Sequence, residues 1–381
     1  MRVISLRERL YRAKPLVIAL WLALLFFPFK GVKAAIILFL ALSLSFVFLK
    51  FLLRYTKSLR ESLQSISNKI WSIRYPPLRV MRYVLLPLLV ILPFITTDYF
   101  TDVAILSGIY IILALGLNVV VGFAGLLNLG FVAFYAMGAY SYALLNTRFG
   151  LDFWSALPIS LGFSTAAGFL LAIPALRLRG DYLAIVTLGF GEIVRLILNN
   201  WDSLTKGPNG ISGIASPSIM SISIGELSYY YYFVLMFVIL TVFTTGRVYS
   251  SKIGRAWIAI REDEVASSAM GVNTTIYKMY SFAFGAFWAG LAGTLFAGKM
   301  HFVSPESFTF MESVFILCMV ILGGLGSIPG VILGSIILVL LPEVLREVQL
   351  YRMLALGSGL VLLMIFRPQG LFGGKDASLR S

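Results

Sequence analysis

Charge is scarce in this chain. Only 13% of its residues are charged against 59% hydrophobic, and the mean hydropathy is +0.91. Soluble domains carry charge at about a quarter of their positions, so an ordinary water-soluble fold is excluded. Acid is the scarcer sign, with 17 Asp and Glu against 31 Lys and Arg and a net charge of +14. The single cysteine, Cys318, lies in an apolar run and rules out an internal disulfide framework. The single histidine, His301, leaves no cluster for a metal site. A nucleophile–base–orienter set is also missing, which disfavours an intramembrane enzyme. The nearest approach to a nucleotide-binding loop is Gly293-Thr-Leu-Phe-Ala-Gly298-Lys299-Met300. It puts Met300 where magnesium needs Ser or Thr, and it ends an apolar span instead of following a strand. Any ATP is therefore expected to be hydrolysed by a partner, with no cofactor or metal held in this chain.

Long apolar runs dominate what is present. About twelve of them suit membrane helices that cross about 30 Å of hydrocarbon. They lie near 15–29, 34–53, 83–97, 102–121, 124–145, 153–173, 182–200, 229–246, 276–297, 312–323, 328–341 and 351–366. The expected fold is an all-α, polytopic helical membrane protein with about 10 core spans and about 2 N-terminal ones. The basic residues cluster in the loops: Arg54 to Arg82, Arg177 and Arg179, Arg247 to Arg261, and Arg367 to Arg380. Alternating an even number of spans from an inner N-terminus puts all of them inside, in the positive-inside pattern. The segments left outside, near 98–102, 201–229 and 301–311, are poor in Lys and Arg. Both termini are thus expected in the cytoplasm, and membrane lipid is the expected counter-charge, with no nucleic acid partner. Arg2, Arg7, Arg9, Arg12 and Lys14 precede Leu16–Phe29 as in a signal peptide, but no small-x-small site follows, so an uncleaved anchor is expected. The Ser-rich, basic stretch from Arg54 to Arg82 separates an N-terminal extension, 1–82, from a core, 83–373.

Glycine is dense in the core, at Gly122, Gly125 and Gly130, at Gly285, Gly290, Gly293 and Gly298, and at Gly323, Gly324, Gly326, Gly330 and Gly334. Close helix packing accounts for most of this. The breaks 121–130 and 322–330 echo each other at inner turns without amounting to a repeat. Polar intrusions are few. Glu192 and Arg195, three residues apart, share a helix face and can neutralise each other. With Asn118, Asn128 and Asn199 they are the candidates for a translocation pathway, because ionisable and polar groups at membrane depth are costly. Gly207-Pro-Asn-Gly210, in the outer loop, reads as a turn.

One stretch is too charged for lipid and too short for a domain, namely Gly254–Gly271. Glu262, Asp263 and Glu264 suit the N-terminal end of a short helix, Ala266 and Ala269 its body, and Gly271 its stop. Trp257 and its apolar neighbours are expected to hold the loop to the membrane, leaving Arg261, Glu262, Asp263 and Glu264 to face a soluble motor.

Six blocks resemble the LivM-type permease subunits of bacterial branched-chain amino-acid ABC importers: 109–122, 176–195, 207–211, 254–271, 302–310 and 367–371. The resemblance covers roughly 83–373 and implies the ABC importer permease fold. It also implies a LivH-type second permease subunit, two ABC ATPase subunits that hold ATP and Mg, and a periplasmic substrate-binding protein, all at the bacterial inner membrane. By the same resemblance Gly254, Arg255, Ala256, Trp257, Arg261, Glu262, Asp263, Glu264, Ala266, Ala269 and Gly271 form the ATPase-coupling loop. Glu264, Ala266, Ala269 and Gly271 match the EAA-type signature of ABC importers only loosely, with altered spacing. Import of leucine, isoleucine or valine is the implied function. The same machinery serving urea, short amides or other amino acids stays open, as do a stand-alone ion-coupled transporter and a membrane scaffold.

Overall fold

The computed structural model describes residues 93–344 except 95, 177, 179, 220 and 221, together with 357, 370 and 371. They belong to the second of two compact units, Leu86–Ser381. The 1–82 extension with its two expected spans, most of 83–97 and nearly all of 351–366 lie outside the described residues.

Helix α1 spans Asp98–Leu117 and continues as a π-helical turn, Asn118–Phe123. Then come α2 (Val132–Phe149), α3 (Phe153–Ala175), α4 (Asp181–Asn200), α5 (Leu227–Tyr249), α6 (Lys252–Glu262) and α7 (Glu264–Ala269). The last three are α8 (Thr274–Met300), α9 (Phe310–Gly323) and α10 (Ile328–Val344). Among the described residues, four segments are long and apolar enough to cross a membrane: Asp98–Phe123, Phe153–Ala175, Leu227–Tyr249 and Thr274–Met300. The protein is an all-α, multi-pass membrane protein. Short strands add only local ties. β1 (Ile211–Ser212) pairs antiparallel with β4 (Phe302–Val303), while β2 (Ser218–Ile219) pairs with β3 (Ile222–Ser223).

Six expected spans agree with helices within a few residues, from α3 at 153 to α10 at 344. The span expected at 124–145 does not. Residues 124–131 are not helical, and α2 begins only at Val132. The cause is steric. Gly125 takes φ +70, a conformation that side chains disfavour, and a β-carbon at Gly130 would lie 1.8 Å from the Thr187 carbonyl oxygen. Hydropathy alone cannot register this break, because the segment is as apolar as its flanks.

The core forms around α8, which packs against α1, α2 and α3. Little hydrophobic force drives helices together in lipid, so close van der Waals contact through small residues matters most. Gly138 of α2 lies against the Gly290 backbone of α8, where an added β-carbon would stand 2.2 Å from the carbonyl oxygen. Gly293 meets the Tyr135 carbonyl in the same way, and Gly168 of α3 meets Ala286. The P-loop-like stretch Gly293–Met300 is thus continuous helix, with its first glycine spent on packing. Gly293→Val should cost at least about 1–3 kcal/mol through overpacking. It should lower the thermal midpoint of the detergent-solubilised protein, whereas Gly246→Ala, within α5 and with no atom within 4 Å of the new β-carbon, should not lower it.

Candidate coupling site and pathway

The charged stretch folds as two helices, not one. α6 ends at Glu262, Asp263 adopts extended backbone (φ −156, ψ 112), and α7 starts at Glu264. The acidic triplet therefore marks a corner between helices. Each helix start is closed by a side chain: Ser251 Oγ accepts from Ile253 N and Gly254 N at 3.2 and 3.4 Å. Asp263 Oδ1 accepts from Val265 N and Ala266 N at 2.8 and 3.0 Å, and Asn273 Oδ1 accepts from Ile276 N at 3.2 Å, capping α8. Such caps stabilise by about 1 kcal/mol each and fix the entry direction of the chain. The membrane-length helices α1, α3 and α5 have no side-chain cap. Gly271, at φ +86, follows the last turn of α7 and lets the chain reverse.

Three contacts clamp this loop to the bundle. Trp257 is 1% exposed, donates its indole N–H to the Tyr277 carbonyl at 2.7 Å and packs its ring on Phe284. It anchors the loop to α8, correcting the expectation that it anchors to lipid; the indole finds a protein partner for both its polar and apolar parts. Glu264 Oε1 accepts from Lys278 Nζ at 2.6 Å, with Lys278 only 4% exposed. Arg261 pairs with Glu262 at 3.0 Å and donates to the Gly122 carbonyl, at the end of the π-helical turn of α1. Its aliphatic part covers Gly125 so closely that a β-carbon there would lie 2.6 Å from Cγ. Gly254 and Ala256 are buried, whereas Arg255, Glu262, Ala266, Ala269 and Gly271 face outward. So do Val265 and Met270, the latter 85% exposed, two apolar projections that the charge pattern conceals.

Arg261 reaches a second unusual region. Between Ala124 and Gly130 buried and open residues alternate: Ala124, Leu126, Asn128 and Gly130 are buried, Gly125 is exposed, and Leu127 and Leu129 are partly open. That is the period of an extended chain. Side chains replace a sheet neighbour. Leu129 N donates to Thr187 Oγ1 at 3.0 Å, Gly130 N to Asn128 Oδ1 at 3.0 Å, and Val132 N to Ser313 Oγ at 3.1 Å. Asn118 Oδ1 accepts from Gly326 N at 2.9 Å, which brings the two glycine-rich breaks together beneath Arg261. Asn118 and Asn128 are both 0% exposed, and each leaves its Nδ2 without a hydrogen-bond partner. Non-helical backbone within a bilayer survives only where protein buries it or where it borders a water-filled cavity.

The other pathway candidates lie apart from this segment. Arg195 and Glu192 of α4 pair with each other at 2.9 Å, both about a third exposed. Asn199 sits near the far end of α4, with its carbonyl against Gly207. There the Gly207–Asn209 turn leads into β1, and the β1–β4 pairing ties the 201–226 loop to residues 301–309. His301, at φ 55, bonds the Ile214 carbonyl through Nδ1 at 2.7 Å, a structural role. Sequence reading missed Lys278, Ser251, Asn273 and Glu312. Ser and Asn just before helical runs are visible capping signals. Glu312, in Phe-Met-Glu-Ser, signals only as an acid that opens an apolar run; its carboxylate accepts from the Tyr110 hydroxyl.

A helical bundle that holds unwound polar backbone in its interior and a clamped, partly charged loop at one end has the organisation of a membrane permease. Residues 99–366 match the family described as branched-chain amino acid transport system / permease component, and the chain belongs to it. It is 49% identical to the high-affinity branched-chain amino acid transport system permease protein LivM of Escherichia coli K12, over 75% of this chain and 73% of that one. LivH of Salmonella typhimurium is 28% identical, over 70% of this chain and 92% of its own. A probable LivM of Methanocaldococcus jannaschii is 26% identical, over 73% and 94%. No solved structure shows a significant match.

Glu264→Gln should leave the buried Lys278 ammonium without its carboxylate, at a cost on the order of 3 kcal/mol. Amide hydrogen exchange across 252–273 should rise, and pairing the change with Lys278→Met should restore most of the protection.

Proposed function

We propose that this chain is one permease half of an ATP-binding-cassette importer that moves leucine, isoleucine and valine inward by alternating access. The observation that carries this reading is the clamped loop α6–α7. It is capped at both helix starts, and it grips both α8 and the end of α1, as an element that transmits force from a soluble motor must. In this reading α6 and α7 face the cytoplasm, one of the two ATPase subunits docks on Val265, Met270 and the outward-facing charged residues, and ATP with Mg is held in the ATPase subunits and not in this chain. A LivH-type subunit supplies the second half, consistent with the likeness to LivH. A periplasmic binding protein delivers substrate to the opposite end, where the 201–226 and 301–309 loops are tied. About 10 core spans and about 2 N-terminal ones then place both termini on the cytoplasmic side of the bacterial inner membrane. The extended 124–131 segment, with Asn118 and Asn128, borders the route of the substrate, while the mutually paired Glu192 and Arg195 are weaker candidates.

A ligand biases a two-state machine only by its differential affinity for the two states, so ATP and the loaded binding protein must prefer different permease states. Replacing Gly254–Gly271 with a flexible linker of equal length should abolish ATP-driven uptake of labelled leucine by the reconstituted complex. Coupling that survives this replacement sinks the mechanism. The buried-side acid Glu312 is the observation that favours the ion-coupled alternative. Gradient-driven uptake by this chain alone, without ATPases, would establish that alternative, and uptake of labelled urea but not leucine would reassign the cargo.

A further inference from the structure

Near its start α1 is open on more than one side, at Phe100 and Ala104 among others, but beyond Ala104 only one stripe stays partly exposed. Tyr99, Asp102, Leu106 and Tyr110 follow one another at spacings of three and four residues, so they form a single stripe, and all four are at least partly exposed. Continuing the same stripe, Leu113, Ala114, Leu117 and Val121 are buried. The opening therefore starts at the end of the bundle opposite α6–α7 and stops at Tyr110. That residue lies about 18 Å of helix rise from Asp98 and about 20 Å from Phe123, halfway along the segment.

Every level of the stripe except Leu106 carries a polar pair. Tyr99 bonds Glu343, Asp102 pairs with Lys299 at 2.6 Å, and Tyr110 bonds Glu312. The first two levels are at the mouth, and Asp102 is matched by a cation. The deepest level is not. Among the described residues, the only hydrogen-bond donor to the Glu312 carboxylate is the Tyr110 hydroxyl, and no Lys, Arg or His forms an ion pair with it. A carboxyl group halfway through hydrocarbon either takes up a proton or finds a positive partner. Apolar walls stand beside it, with Phe315 edge-on to the Tyr110 ring at 5.8 Å and Leu106 one turn above.

We propose that Glu312, oriented by Tyr110, is the subsite that receives the α-ammonium group of the transported amino acid at the floor of this opening. The inference rests on the reading of the chain as an amino-acid permease. It assigns the charge recognition within the membrane to one carboxylate, and it leaves the branched side chain to Leu106 and Phe315. A partner-subunit cation would also satisfy Glu312. The geometry favours the substrate, because partial exposure runs along the stripe from the helix start to Tyr110 and every residue of the stripe beyond it is buried.

The test uses the complete importer in proteoliposomes, with uptake of labelled L-leucine and ATP hydrolysis measured together. Glu312→Gln retains size and loses charge. Leucine carried per ATP should fall about tenfold or more, the effect of removing one charge-assisted contact, while all subunits co-purify and the loaded binding protein still stimulates hydrolysis. Tyr110→Phe should give a smaller, several-fold fall in the same ratio. An unchanged ratio in Glu312→Gln overturns the proposal. So does loss of the second permease subunit from the purified Glu312→Gln complex, which would assign the carboxylate to a contact between the halves. A parent importer that carries no leucine would instead refute the underlying function, and is told apart because the unmodified complex is the one that fails.

Discussion

Peptide groups in a bilayer cannot turn to water, and this constraint governs how the chain is arranged. Most of the core meets it with helices that satisfy their own backbones and approach one another through glycine, as Gly138 and Gly290 do. Where the chain leaves the helix after Phe123, every available side chain is drawn in. Thr187, Asn128 and Ser313 accept from backbone amides between Leu129 and Val132, and Asn118 accepts from the turn at Gly326. Such substitution is costly to evolve and is found where a backbone must border something other than lipid. The packing of α8 and the unwinding after α1 are thus two answers to one requirement.

The α6–α7 loop depends on the same region. Arg261 donates to a carbonyl that the π-helical turn leaves available, so the loop is fastened where α1 is least regular. Trp257 and Glu264 fasten it to α8, which is regular throughout. One attachment is to an irregular segment and the others to a regular helix. Displacement of the loop would therefore be felt first between Gly122 and Gly130.

Much of the architecture was legible in the sequence, because hydropathy over a window of some twenty residues reports burial in lipid directly. The spans from α3 to α10 emerged within a few residues for that reason. The break at 124–131 did not, since an extended segment buried among helices is as apolar as they are, and only the glycines at 125 and 130 hint at it. The loop was recognised by its charge, but its two-helix form depends on Asp263 acting as a cap, a role that an acidic triplet at a helix start obscures. Lys278 and Glu312 stayed hidden for a different reason. Each is a single charge at the edge of an apolar run, where sequence cannot tell a solvated end from a buried partner. The pairing of Glu192 with Arg195 could be foreseen from spacing alone.

Helix α8 carries an ion pair near each end, Lys278 with Glu264 and Lys299 with Asp102. The two lysines are separated by about 32 Å of helix rise, close to the thickness of the hydrocarbon layer. Sliding α8 along its axis would pull one of these ammonium groups off its carboxylate and towards the apolar layer, so axial translation is opposed in both directions. Tilting or rolling about an axis leaves both ends at their own depth. A piston stroke is closed to this helix, and a rocking motion is the one that its charges leave open.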